Sequence, residues 1–233
     1  NSVPAFREAV ENGFEAVETD VWENKDGNIV LFHDEYLGRM CSAPSKRIKD
    51  LADSEIEKYP LTAGVNIGDH VDPTPTIPDF QEFLENIGTK PAVIEIKDTN
   101  ISDGNIDAII DEVSGRPGSM VISFYRNVLE KVKQRAQLKN VEVTTMLLMS
   151  DSERTTEQNI YSVKDGVNVC KDDEIDIDII SARYDMIGAE DVIYAHENDV
   201  KVGVWTVNDA GIALNMMGWG VDYITSDCKL FYN

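Results

Sequence analysis

The sequence predicts an α/β fold: a TIM-type (β/α)8 barrel with a hairpin arm after its second strand and with the barrel's first strand lying before Asn1. Three observations lead there. Strand-length runs rich in Val and Ile alternate with helix-patterned segments, as parallel βαβ units require. Seven barrel strands can be counted where a closed barrel needs eight. The chain also opens directly on a helix, so the absent strand is expected upstream. An open, doubly wound sheet is the alternative architecture.

Taken in order, residues 3–13 carry Val3, Phe6 and Val10 at helical spacing and stop at Gly13. Residues 14–22 follow as a strand, and Lys25-Asp26-Gly27-Asn28 supplies a hairpin turn into a short strand at 29–33. From Asp34 to about Pro75 the chain is polar and irregular, with one helix expected at 51–59; residues 78–88 form the next helix. Strands are then expected at 92–97, 120–124, 141–148, 175–180, 201–207 and 222–226. Helices are expected between them at 104–114, 126–138, 154–163, 188–198 and 208–218. No repeat or linker interrupts the series, so residues 1–233 read as a single barrel domain.

Composition narrows the function. A 42% hydrophobic content supports a substantial core, and no run of eighteen apolar residues suggests a membrane-spanning helix. Lys+Arg 21 against Asp+Glu 43 gives a formal charge of −22, a field that opposes nucleic acid and anionic lipid surfaces. An anionic substrate would therefore need a local cation. Cys41, Cys170 and Cys228 are odd in number and widely spaced, which argues against a disulfide framework or a zinc site and favours a reducing, cytoplasmic compartment. An export signal upstream of Asn1 would lie outside this sequence.

Two strands end in charged residues that a buried strand does not otherwise choose. Glu18-Thr19-Asp20 puts two carboxylates on one strand face, roughly 6–7 Å apart by strand rise. Glu95-Ile96-Lys97 does the same with a carboxylate and an ammonium. Either triplet alone is more often a solvated strand face. Both together, at the C-terminal ends of neighbouring barrel strands, favour a site, because three converging carboxylates repel unless a hard cation such as Mg²⁺ or Ca²⁺ is bound. The hairpin folds His33 back towards Glu18 and Asp20, where an imidazole suits proton transfer, although a histidine after an apolar strand is often structural. His70 and His196 read as structural.

These residues carry a family resemblance. Asn1 through Phe6, Gly13, Glu18-x-Asp20-Val21, Lys25-Asp26-Gly27 and Phe32-His33-Asp34 resemble the core signature of glycerophosphodiester phosphodiesterases. Ile77-Pro78, Phe83-Leu84, Glu95-Ile96-Lys97, Ser123-Phe124, Val204 through Asn208, and Gly220-Val221-Asp222 through Asp227 are similar in order and spacing, so the likeness spans essentially the whole chain. It implies a barrel that hydrolyses a small glycerophosphodiester to glycerol 3-phosphate and an alcohol. By position, Glu18, Asp20 and Glu95 would ligate one divalent cation, Mg²⁺ or Ca²⁺. Lys97 would contact the phosphate, Trp205 would face the glycerol, and His33 would be one of two acid–base histidines. The other histidine belongs to a His-Arg-Gly motif on the family's first strand, before the equivalent of Asn1. The strand expected upstream and that motif are thus one gap. Two further readings are a related barrel phospholipase, of lysophospholipase D or phosphoinositide phospholipase C type, and a non-catalytic phosphodiester-binding module. Oligomeric state is not legible from the sequence.

Overall fold

The structure, a computed structural model, describes residues 1–43, 45–62, 75–151, 158, 160–171 and 176–231. It divides into two compact units, Asn1–Ser119 and Met120–Asn233.

The first unit opens on a helix, Val3–Glu11, whose N-terminus is capped by Ser2: the hydroxyl accepts from the Ala5 N–H at 3.4 Å. Pro4 fits the first turn, where an N–H has no helical partner. The chain then enters β1 (Val17–Glu23) and returns antiparallel as β2 (Ile29–Leu31), with Val21 opposite Leu31 and Glu23 opposite Ile29. Gly27 takes the left-handed backbone this turn requires, at φ +83°. The side-chain oxygen of Asn24 accepts from the N–H groups of Asp26 and Asn28 at 3.0 and 2.9 Å, so the turn is held from inside. Strand β3 (Ala92–Ile96) pairs parallel on the other side of β1, giving the order β2-β1-β3. The helix Phe80–Ile87 precedes it, started by a reciprocal cap between Asp79 and Glu82. Its Phe83, fully buried, meets Phe6 edge-on with ring centroids 4.9 Å apart.

The expectation of a polar, irregular stretch after Asp34 is corrected within the described residues. Leu37, Cys41, Ile48, Leu51, Ile56 and Leu61 form a small core of their own, closed by Val30, Phe32 and Ile77. Two one-turn helices, Gly38–Cys41 and Asp53–Ile56, organise it, the second being the contracted form of the helix expected at 51–59. These apolar residues occur singly, at irregular intervals, so neither a 3.6- nor a 2-residue period exposes them.

The second unit carries β4 (Met120–Ser123), β5 (Thr144–Met149), β6 (Ile179–Arg183), β7 (Lys201–Trp205) and β8 (Tyr223–Ile224), each paired parallel with the next. Helices Arg126–Lys139, Val163–Cys170, Ala189–Glu197 and Ala210–Trp219 alternate with them. Most of the helix expected at 154–163 falls outside the described residues, whereas Val163–Cys170, read as no element in the sequence, is helical. Ser162 caps it by accepting from the Asp165 N–H at 3.2 Å. Gly166 is tolerated inside it because a Cβ there would meet Ile180 Cδ1 at 2.6 Å, so the helix lies close on β6. Strand β6 starts later than the expected 175–180 because Asp178 turns aside, accepting from the Thr145 N–H at 2.7 Å and from Lys133 at 2.8 Å. Among the described residues, no helix is long and apolar enough to cross a membrane.

The small core after Asp34 makes a testable claim. Leu37→Ala should cost about 2–5 kcal/mol in urea unfolding, as deletion from a packed interior does. The exposed Leu138→Ala should stay within about 0.5 kcal/mol. Equal, small effects would mean that the segment is draped over the unit without being packed into it.

Candidate active site

The parallel register of β1 and β3 sets Asp20 directly beside Glu95. Residues in register point to the same face, and so do residues two apart along a strand. Lys97 extends the ladder, its N–H donating to the Val21 carbonyl at 3.2 Å. Glu18, Asp20, Glu95 and Lys97 therefore share one face. An oxygen from each of the three carboxylates lies within 4.8 Å of the others, closer than strand rise alone suggests because the side chains converge. Lys97 Nζ is 3.0 Å from Asp20 Oδ1 and 2.7 Å from Glu95 Oε1.

Asp20, Glu95 and Lys97 are buried; Glu18 is partly exposed at the rim. Glu18 nevertheless lies among dense protein, and poor hydration is the largest influence on it. With the carboxylates of Asp20 and Glu95 adding repulsion, its carboxyl is held well above the usual range, against the opposing pull of Lys97. Burial likewise raises Glu95, partly offset by Lys97. Burial also works against the Lys97 ammonium, but Glu95 and Asp20 outweigh it and raise its proton affinity. One ammonium against three carboxylates leaves this face anionic whenever all are ionised. All three offer hard oxygen donors, and among the described residues neither Cys nor His joins them. The residues present thus fit a divalent cation of the Mg²⁺ or Ca²⁺ kind.

Asp20 has a second support that sequence reasoning did not assign. The Asn1 side-chain oxygen accepts from the Thr19 hydroxyl at 2.6 Å and from the Asp20 N–H at 2.9 Å. Its amide nitrogen donates to Asp20 Oδ2 at 2.6 Å. Asn1 thereby fixes the rotamer of a carboxylate that Lys97 holds by its other oxygen. Only the position of Asn1 in the family signature hinted at this.

The hairpin arm brings His33 back along β1, as expected. Phe32 N–H donates to the Asp20 carbonyl at 3.1 Å, so His33 follows one residue after the position facing Asp20. Its ring is exposed, and Nδ1 lies 2.6 Å from Asp34 Oδ1. Arg39 grips the same carboxylate with two nitrogens, Nε at 2.7 Å from Oδ2 and Nη2 at 3.0 Å from Oδ1. That grip, followed in size by opposing burial and then by His33, holds the Asp34 carboxyl below its usual range. Neither Asp34 nor Arg39 stood out as functional in the sequence.

Trp205 closes β7 in the second unit, half-buried, with its ring edge-on to Phe124 at 5.5 Å and its indole N–H donating to the Ser181 carbonyl at 3.2 Å. His196 pairs with Asp222 at 2.9 Å, in keeping with a structural role. His70 lies outside the described residues.

A family model described as the glycerophosphoryl diester phosphodiesterase family matches residues 1–228. A glycerophosphodiester phosphodiesterase of Caldanaerobacter subterraneus subsp. tengcongensis is 35% identical over 97 residues, 42% of this chain and 38% of that protein. The uncharacterized protein YqiK of Bacillus subtilis is 34% identical over 100 residues, 40% of this chain and 41% of its own length. The matched stretch thus spans well under half the length of either curated relative. Among solved structures, a glycerophosphodiester phosphodiesterase from Thermotoga maritima aligns with a TM-score of 0.67 at 25% identity, covering 97% of this chain and 88% of that one. An Oleispira antarctica phosphodiesterase, solved with the product sn-glycerol-3-phosphate, aligns at 0.71 and 20% identity, covering 97% and 87%. These likenesses show that the chain has the α/β barrel fold expected from its sequence.

The raised carboxyls of Glu18 and Glu95 give cation binding a sign. Each binds its proton more tightly folded than unfolded, so above the ordinary value of 4.5 the chelator-treated fold loses stability as pH rises through the raised folded values. A divalent cation needs the ionised oxygens and competes with those protons. Calorimetric titration with Mg²⁺ or Ca²⁺ should therefore show affinity at least about ten-fold weaker at pH 5.5 than at pH 8, with proton release at the lower pH. Glu95→Gln should weaken binding at both. Binding indifferent to pH and to Glu95→Gln would place the cation elsewhere.

Proposed function

Because the chain belongs to the glycerophosphoryl diester phosphodiesterase family, we propose that it hydrolyses glycerophosphodiesters to glycerol 3-phosphate and an alcohol. The observation that carries this reading is the shared face of β1 and β3, where three carboxylates and one ammonium meet in a chain matched over residues 1–228. The product bound to the similar Oleispira antarctica enzyme supports the substrate class.

In this reading Glu18, Asp20 and Glu95 hold one divalent cation, Mg²⁺ or Ca²⁺, which when bound supplies Lewis-acid neutralisation of phosphoryl oxygen. Lys97 has two tasks. It balances the carboxylates that grip it, and it brings fixed positive charge to the phosphate, where charge accumulates in the transition state. Asn1 holds the Asp20 carboxylate so that this arrangement needs no rearrangement when substrate arrives. His33 is the general acid. Its Nδ1 faces Asp34, so Nε2 is the nitrogen that passes a proton to the departing alcohol oxygen. Trp205 is assigned to the glycerol by its place in the family pattern alone.

The test uses the full-length protein and glycerophosphocholine, with release of glycerol 3-phosphate as the readout. His33→Ala should lower kcat by about 10²–10⁴-fold, the usual scale of acid–base catalysis, while circular dichroism and cation binding stay as in the parent. An unaltered rate takes His33 out of the mechanism. Turnover of lysophosphatidylcholine with none of glycerophosphocholine would move the substrate class to lysophospholipids.

A further inference from the structure

We infer that Asp34 and Arg39 are positioning residues for His33: together they fix its ring and its tautomer, so that Nε2 alone exchanges the catalytic proton. The inference rests on the reading above, which makes His33 the general acid, and concerns two residues outside the three-carboxylate set.

The small core after Asp34 seats Arg39. Leu37 is fully buried in it and Cys41 nearly so, and these two bracket the one-turn helix Gly38–Cys41, with the Cys41 N–H donating to the Leu37 carbonyl at 2.8 Å. The helix is thereby anchored at both ends and presents Arg39 on its outer side. The guanidinium is planar, and its two engaged nitrogens match the two oxygens of Asp34. A carboxylate gripped by both oxygens cannot rotate. Its Oδ1 therefore stays 2.6 Å from His33 Nδ1.

The consequence for the imidazole is chemical. Arg39 keeps Asp34 ionised at neutral pH, and an ionised carboxylate only accepts. Nδ1 must then carry a hydrogen, and the proton that comes and goes does so at Nε2. The charge cluster does little for stability: the side chains of His33 and Arg39 are 56% and 59% exposed, and ion pairs so exposed contribute little. Its geometry therefore matters mainly for orientation. The backbone supplies the rest, since pairing of Phe32 with Asp20 brings His33 along the strand that bears the carboxylates.

Three variants at these positions and three readouts test this. Asp34→Ala should lower kcat on glycerophosphocholine by about 10- to 100-fold with KM changed less than about two-fold, because the reacting atoms remain while their alignment is lost. Arg39→Met should lower kcat by about ten-fold, and Arg39→Lys should recover part of it, since an ammonium meets a carboxylate as a point charge without fixing its plane. The second readout is the ¹⁵N NMR signature of His33 at pH 8. The parent protein should show a protonated Nδ1 and a bare Nε2; Asp34→Ala should show mixed tautomers. Calorimetric binding of Mg²⁺ should be unchanged in all three, which separates positioning from misfolding. If His33→Ala abolishes turnover while Asp34→Ala and Arg39→Met leave both kcat and the tautomer unchanged, the positioning role is wrong. If the parent protein does not turn over glycerophosphodiesters, the functional reading fails by itself, and the NMR comparison alone decides whether Asp34 sets the tautomer.

Discussion

Three carboxylates converging on one strand face need a cation or protons to offset their repulsion, and the first unit is built around that constraint. The β1–β3 register determines which charges meet: a slip of one residue would turn Glu95 and Lys97 to the opposite face from Asp20. Lys97 provides part of the compensation by bonding Asp20 and Glu95 together, while burial, with the remaining negative charge added, raises the proton affinity of Glu18 and Glu95. Such a face takes up protons or a divalent ion according to which is available. A chain carrying a formal charge of −22 has particular need of such a centre if its substrate is an anion, because its general field repels what the site must hold.

The supports around this face run in series. Asn1 pins Asp20 from the side of the first helix. The hairpin, held by Asn24, returns the chain along β1 and delivers His33. Beyond it, the small core containing Leu37 and Ile48 seats the short helix that bears Arg39. Apolar packing far from the carboxylates thus becomes angular precision at a single imidazole. This is a common way for a fold to orient an exposed side chain, since packing is stiff where such a side chain is not.

In the second unit, close approach is the governing theme. A Cβ at Gly203 would lie 2.7 Å from Ser181 Oγ, and one at Gly166 would strike Ile180, so small residues set how tightly strands and helix meet. At the end of this layer, Trp205 is oriented from two directions by Phe124 and the Ser181 carbonyl.

Much of this was legible in the sequence. The alternation of Val- and Ile-rich strands with helices determined the element order, because periodicity is a local property that needs no partner. The triplets Glu18-Thr19-Asp20 and Glu95-Ile96-Lys97 announced a charged strand face, because alternation along a strand is equally local, and the Asp-Gly turn marked the arm that returns His33. What the sequence left undecided depends on contacts between distant residues. No pattern shows that Asn1 grips Asp20, that Lys97 binds two carboxylates before any phosphate, or that Arg39 reaches back to Asp34. The core after Asp34 was hidden because its apolar residues follow no period and acquire a common interior only when the segment folds back on Val30 and Phe32. Strand β6 began late for a similar reason: Asp178 found partners in Thr145 and Lys133, and a side chain recruited by another element outweighs the alternation of its own. Local spacing therefore picked out the candidate site residues, and tertiary packing decided how each one is aimed.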